Sequence, residues 1–218
     1  MVQIFSDNWM TKTLKSALYI FLFSLIYAIL RYHLFKGISW VQFPIYILNK
    51  AFALSAFLLF AVSFSVCPIQ KLGLINLFKP EECKYLGWAG MINLFIHVIM
   101  SLLILNPVYF EKFYEIDGTL NLVGNLSFLL GVFGLVFILL YNSMFRDSMQ
   151  NNTVANPFIK TNGFIISGLL VLCGHVFVMG VNGWLSPNEW PGYMPPISLI
   201  GFVVLFSSLT LNIFVIRK

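Results

Sequence analysis

Residues 84–105 read KYLGWAGMINLFIHVIMSLLIL, and after Lys84 this stretch contains no Asp, Glu, Lys or Arg. An α-helix needs roughly 20 consecutive apolar residues to cross the ~30 Å hydrocarbon layer of a bilayer. Residues 85–105 therefore predict a transmembrane helix, and five other runs share this length and character. The six predicted helices lie near 14–32, 47–67, 85–105, 121–142, 163–183 and 196–216.

The whole chain has the composition of a membrane protein. Of its 218 residues, 59% are hydrophobic and only 10% are charged, whereas soluble domains are about 45–50% apolar and about 25% charged. The runs are continuously apolar and do not alternate, which argues against β-barrel strands. No small-residue cleavage site follows the first run, which we interpret as a retained helix. We predict an all-α integral membrane protein: a six-transmembrane-helix bundle forming a single transmembrane domain over residues 1–218.

Lysine and arginine predict the orientation of the bundle. Nine of the 13 lie on the side of the N-terminus and four on the opposite side, which we expect to be the outer side. Because cytoplasmic loops are enriched in these residues, we expect both termini in the cytoplasm and a multi-pass protein of the inner (cytoplasmic) membrane. The N-terminal side has Lys12, Lys15, Lys71, Lys79, Lys84, Arg146, Lys160, Arg217 and Lys218, and the outer side has Arg31, Lys36, Lys50 and Lys112. These cations stand at the ends of apolar runs, which indicates membrane lipid as a partner and no nucleic acid.

Two of the three histidines lie inside apolar runs. His97 follows Lys84 by thirteen residues, and His175 follows Gly163 by twelve. At 1.5 Å per residue both imidazoles lie roughly 18–20 Å from the cytoplasmic side, on helices that run in the same direction. Two imidazoles that face each other at one depth are the axial ligands of a six-coordinate haem b. An intramembrane histidine is functional by default, and the spacing also allows a hydrogen bond between helices or a proton relay.

A glycine stands at the same spacing before each of these histidines. Gly90 precedes His97 by seven residues and Gly168 precedes His175 by seven, close to two helical turns. Each glycine therefore shares a face with its histidine and would leave room for a flat ring. Asn93, four residues before His97, adds a polar group to that face. Because glycine also serves close helix packing in membranes, the pattern fits either role.

Short motifs around these positions resemble a known family. The run 84–87 (KYLG), followed ten residues later by His97, is similar to the basic–x–Leu–Gly…His signature of the ferric reductase-like transmembrane superfamily. Ala53-Leu54 and the run 67–71 (CPIQK) resemble that family's segment at the end of helix 2, and His175 fits its haem ligand on helix 5. The group includes the haem-binding subunit of the bacterial methionine sulfoxide reductase system, six-helix metalloreductases and the membrane part of NADPH oxidases. The match covers roughly residues 47–216.

This resemblance implies that His97 and His175 hold one haem b through its iron and carry single electrons from a cytoplasmic or membrane donor to an outer acceptor. Family members with two haems have a second histidine pair nearer the cytoplasm, but Lys84 and Asn162 stand near those positions here. The resemblance therefore implies one haem on the outer side, and a flavin or quinone could occupy the inner half.

The same resemblance places the haem propionates at the outer face. Arg31 and Lys50, next to helix ends, are the candidates to bind them.

Other motifs of redox and nucleotide chemistry are absent from the sequence. It has no CxxC, no P-loop and no GxGxxG after a strand, so a separate flavin reductase, a bound flavin or a quinol must supply electrons. The chain would be the cytochrome b component of an oxidoreductase and could dock an acceptor protein outside. The alternative is a non-redox polytopic protein, a small transporter or assembly partner, whose histidines bridge helices or relay protons. A third possibility is a family member that keeps the fold without the cofactor.

Overall fold

The computed structural model describes residues 8–73, 79–144 and 163–216. Six helical spans in these ranges are long and apolar enough to cross a membrane, which confirms the predicted all-α six-helix bundle and a multi-pass membrane protein. The described part contains no β-strand, and an isolated bridge pairs Tyr114 with Leu120. The long helices are α1 (Asn8–Ala28), α2 (Leu48–Lys71), α3 (Pro80–Leu103), α4 (Leu122–Met144), α5 (Gly163–Trp184) and α6 (Ile197–Ile216).

We call the end of the bundle where α1, α3 and α5 finish the far end, and the opposite end the near end. The far end corresponds to the predicted outer side. Towards it α1 continues as a π-helical segment, Ile29–Phe35, and α2 is preceded by a second one, Phe43–Ile47. Asn162 and the predicted cytoplasmic residues Arg146, Lys160, Arg217 and Lys218 lie outside the described residues.

The predicted start of the third helix was five residues too late, because its first turn is charged. α3 begins at Pro80, and proline is favoured in a first turn since its missing N–H has no helical partner there. Glu82 accepts a hydrogen bond from the Lys79 backbone N–H at 2.8 Å. It also forms an ion pair with Lys12 at 3.3 Å. This polar turn extends the helix beyond its apolar run.

The predicted end of the second helix was also wrong, because α2 continues through Pro68 to Lys71. Proline has no N–H, so Pro68 cannot donate to the carbonyl of Phe64 one turn earlier. The Asn212 side chain of α6 donates Nδ2–H to that carbonyl at 3.0 Å. A neighbouring helix thus satisfies the acceptor that the proline leaves free, as lipid surroundings require.

The helices pack around α2 and α5. α2 contacts α1, α3 and α6, and α5 contacts α4 and α6. One apolar core contains buried side chains of the five helices from α2 to α6, among them Phe60, Leu94 and Leu172. The outward faces carry exposed apolar side chains, including Leu18 and Phe133. Since these faces belong to membrane-spanning helices, we assign them to contact with lipid.

Candidate functional site

His97 lies on α3, six residues before the helix ends at Leu103. Its Nδ1 is 2.5 Å from Oδ1 of Asn49 and 3.3 Å from the carbonyl oxygen of the same residue on α2. Both atoms of Asn49 are acceptors, so Nδ1 carries the proton and donates it. The ring thereby joins α3 to α2.

Asn49 is itself held by a second residue of α3. The Asn49 side chain is fully buried, and its Nδ2 donates to Oγ of Ser101 at 3.0 Å. The Ser101 hydroxyl also lies 3.3 Å from Oδ1 of Asn49. Ser101 thus contacts both polar atoms of the amide that accepts the hydrogen bond from His97.

His175 makes the corresponding bond to main chain. Its Nδ1 donates to the carbonyl oxygen of Ser127 on α4 at 2.7 Å. The ring also lies against Gly131, one turn further along α4: a Cβ built there would be 3.2 Å from the Cε1 and Nδ1 atoms of His175. The missing side chain of Gly131 thus provides the space in which the imidazole sits.

Both imidazoles therefore have the same protonation pattern. Nδ1 is the donor in each, so Nε2 carries the lone pair, and in the described part of the chain no hydrogen bond engages either Nε2 atom. A histidine that ligates a metal commonly donates its other ring N–H to a carbonyl, which fixes the tautomer and the ring orientation. The Nδ1–H bonds of His97 and His175 are of this kind.

The two rings lie deep in the protein but keep accessible surface. Each side chain is partly buried and keeps part of its surface accessible. Within the described residues, no group of three or more His, Cys, Asp or Glu could hold a metal ion, so a simple multidentate metal site is not indicated there.

Gly90 and Asn93, expected to flank a cofactor, both contact α2. A Cβ at Gly90 would lie 3.0 Å from the Phe60 ring and 3.2 Å from Cβ of Leu59. Asn93 donates Nδ2–H to Oγ of Ser55 at 2.7 Å. In this structure both residues serve the α2–α3 interface.

Gly168 lies on the other side of the bundle, where a Cβ would be 3.6 Å from Cβ of Phe137 on α4. A role for Gly90, Gly168 or Asn93 in cofactor binding stays a prediction.

Arg31 and Lys50 occupy different environments at the far end. Arg31 is buried and donates Nη1–H to the carbonyl of Met194, while its Nε atom makes no hydrogen bond within the described residues. Lys50 directs its ammonium towards the rings of Tyr46 and Phe110, 5.2 and 5.0 Å from their centroids. Lys50 follows Asn49, the residue that bonds His97, so it is the candidate cation on the histidine side.

A second lysine reaches α5 at the same end. Lys112 donates to the carbonyl of Met179 at 2.5 Å, and its ammonium lies 5.0 Å from the Phe113 ring centroid. The Lys112 side chain keeps an exposed surface, yet desolvation by the surrounding protein lowers the pKa of Lys112 below its ordinary value of 10.5, and the charge of Lys36 lowers it further. The far end therefore gathers positive charge near the histidines, which favours an anionic group there.

Asn49, Ser101, Ser127 and Gly131 were missed by sequence reasoning. Asn49 carried a signal, because a polar residue at the start of an apolar run lies at about the depth of His97. Ser127 acts through its main-chain carbonyl oxygen. Every residue has such an oxygen, so the residue type gives no indication of this bond. Gly131 is one of several glycines in its run, and only the packing of α4 on α5 selects it.

No protein-family model matches the chain, and no curated protein matches it. The resemblance to the ferric reductase-like superfamily therefore stays a prediction from short motifs. The functional argument depends on the histidine geometry.

Proposed function

We propose that this membrane protein is an electron-transfer subunit that holds one haem b, with His97 and His175 as axial ligands. The observation that carries the proposal is the shared tautomer of the two rings. Each donates Nδ1–H to a carbonyl oxygen, at 2.5 Å from Asn49 and at 2.7 Å from Ser127, and leaves its Nε2 lone pair available. Imidazole Nε2 atoms on two helices of a bundle are the ligand set of membrane cytochromes b.

The residues around the rings fit such a group. Gly131 gives the His175 ring its place against α4, and Asn49 and Ser101 hold the His97 ring. Lys50, next in sequence to the Asn49 that bonds His97, would bind the propionate carboxylates, and Lys112 lies at the same end, bonded to Met179. Arg31 supports this role less well than Lys50, because its guanidinium already bonds Met194. The haem would supply one-electron chemistry.

The proposal extends to the electron path. The sequence contains no nucleotide-binding motif, so electrons would come from a separate flavin reductase, a flavin or a quinol at the near end. They would leave at the far end for an outer acceptor. The protein would then be the cytochrome b component of an oxidoreductase in the cytoplasmic membrane, with both termini in the cytoplasm.

The test is spectroscopic. The protein is expressed with ample haem, purified in detergent and examined by reduced-minus-oxidised spectra and pyridine haemochrome quantification. We expect a Soret band with α and β features and one haem per chain. The His97→Ala and His175→Ala variants should each lose the haem, because either substitution removes an axial ligand.

His33→Ala is the matched control. His33 also donates Nδ1–H to a carbonyl, that of Ile38 at 2.7 Å, but it lies in the π-helical segment at the far end of α1, where its ring is tilted against Trp40 at a centroid distance of 4.0 Å. This variant should keep one haem per chain. A colourless wild-type protein, or variants at position 97 and 175 that keep the haem, would contradict the proposal.

A second candidate function is favoured by the same hydrogen bonds. His97 joins α3 to α2, and His175 joins α5 to α4, which is how polar side chains hold helices together in membranes. A non-redox transporter or assembly partner could use both histidines this way. It predicts a colourless wild-type protein in which His97→Ala and His175→Ala lower the unfolding temperature.

A further inference from the structure

We propose that Asn49 is a positioning residue that selects the ligating tautomer of His97 and lowers the reduction potential of the haem. This inference rests on the proposed function and adds a residue outside the ligand pair. Asn49 is fully buried on α2 and presents both its Oδ1 and its main-chain oxygen to Nδ1 of His97. With Nδ1 protonated, His97 donates to Oδ1, and the main-chain oxygen is a second acceptor within reach of Nδ1.

The tautomer and the amide orientation are coupled. If Nε2 carried the His97 proton, Nδ1 would face two acceptors without a hydrogen, and the buried oxygens would lose a donor. Rotating the amide would turn Nδ2 towards His97 and Oδ1 towards Ser101, but the main-chain oxygen would still lie 3.3 Å from Nδ1. The Ser101 hydroxyl lies 3.0 Å from Nδ2 and 3.3 Å from Oδ1 and can bond either atom, so it is the main-chain oxygen that disfavours the rotated form. Asn49 therefore keeps the Nε2 lone pair free.

His175 provides the contrast within the same molecule. Its acceptor is the carbonyl of Ser127, which no side-chain substitution removes. The His97 bond instead goes through a side chain, and so its strength depends on which residue occupies position 49. A hydrogen-bond acceptor on Nδ1–H makes an imidazole more basic and favours the oxidised metal. His97 is thus the ligand through which sequence changes can set the potential.

The first test needs no haem. Nitrogen-15 NMR of histidine-labelled, haem-free protein in detergent reports which ring nitrogen carries the proton. We expect the Nδ1–H form at both positions 97 and 175 in the wild type. Asn49→Leu should convert His97 to a mixture of tautomers and leave His175 unchanged, whereas Asn49→Asp, which keeps an acceptor oxygen, should preserve the Nδ1–H form.

The second test is a redox titration of the haem-loaded protein. Removing the hydrogen-bond partner of a metal-ligating residue typically lowers metal affinity or activity about tenfold or more. At a fixed ambient potential, Asn49→Leu should raise the ferrous-to-ferric ratio about tenfold, equal to a rise of about 59 mV for a one-electron couple. Asn49→Asp should not raise it.

Ser55→Ala is the matched control, because it breaks another α2–α3 hydrogen bond, the one from Asn93 at 2.7 Å. It should leave the tautomer and the potential as in the wild type. If Asn49→Leu keeps the wild-type tautomer and potential in a protein that binds haem, the assignment of Asn49 is overturned alone. A wild-type protein that binds no haem overturns the proposed function and this role together.

Discussion

The α2–α3 and α4–α5 interfaces hold their histidines in the same tautomer by different means. At α2–α3 polar side chains meet at several depths: Asn49 bonds His97, Ser55 bonds Asn93, and Ser63 donates to the Cys83 carbonyl at 2.7 Å. At α4–α5 the His175 ring bonds main chain and lies against Gly131. The first interface depends on polar side chains, and the second on a main-chain acceptor and on the room that Gly131 leaves for the His175 ring.

This difference separates two kinds of sensitivity. Side-chain hydrogen bonds in membranes contribute about 0.6 kcal/mol on average and can be replaced. A side chain added at Gly131 would instead have to displace the His175 ring, and overpacking a filled site typically costs about 1–3 kcal/mol. We therefore expect a large loss of stability when a side chain is added at the α4–α5 interface. Loss of one hydrogen bond at an α2 interface should lower stability only slightly.

The largest effect is expected from Gly131→Val, which would break the α4–α5 interface. Its Cβ would stand 3.2 Å from His175 Cε1 and Nδ1, and the branched methyl groups would have to displace the ring. Haem affinity should fall about 10- to 100-fold, measured by haemochrome content. Gly183→Val on α5 is the control, because nothing lies within 4 Å of a Cβ there. Equal haem content in the two variants would refute the argument.

A smaller effect is expected at the α2–α6 interface. Asn212→Leu removes the Nδ2–H that bonds the Phe64 carbonyl at 3.0 Å, and should cost about 1 kcal/mol of unfolding free energy. Pro68→Ala supplies a local N–H to the same carbonyl, so Asn212→Leu should cost less in that background. A double-mutant cycle of unfolding in detergent measures this coupling. If the unfolding free energies of the two substitutions are strictly additive, the Phe64 carbonyl does not couple Asn212 to position 68.

The smallest effect concerns Lys112, which lies in the connection before α4 and donates a hydrogen bond to the Met179 carbonyl of α5. Lys36→Gln should raise the pKa of Lys112 towards its ordinary value, because the charge of Lys36 is one of the two causes that lower it. Titration of dimethylated lysines by carbon-13 NMR measures the change, with Lys15→Gln at the near end as control. An unchanged pKa of Lys112 in Lys36→Gln would mean that burial alone lowers it.

The sign of the linked stability follows from the same lowering. Because the charged form of Lys112 is disfavoured in the folded protein, the unfolded chain binds more protons between the lowered pKa and the ordinary 10.5. Stability should rise with pH across that window, and less steeply in Lys36→Gln. Unfolding at a series of alkaline pH values checks the direction.

The sequence by itself determined the six helices, because a hydrocarbon layer of fixed thickness requires uncharged apolar runs of a set length. It also selected His97 and His175, since an ionisable residue inside such a run is costly and therefore rare. Helix ends were less predictable: the charged turn at Glu82 and the residues after Pro68 belong to helices for reasons that involve Lys12 and Asn212 on other elements.

Only the tertiary structure decided what supports the two histidines. Periodicity placed Gly90 and Gly168 on their faces, but interhelical packing brings Gly90 against Phe60 and puts Gly131 beside the His175 ring. The acceptors at Asn49 and Ser127 lie on neighbouring helices in the chain, at positions fixed by helix rotation and depth. These quantities arise from side-chain packing across an interface, and a single helix's sequence pattern does not contain them.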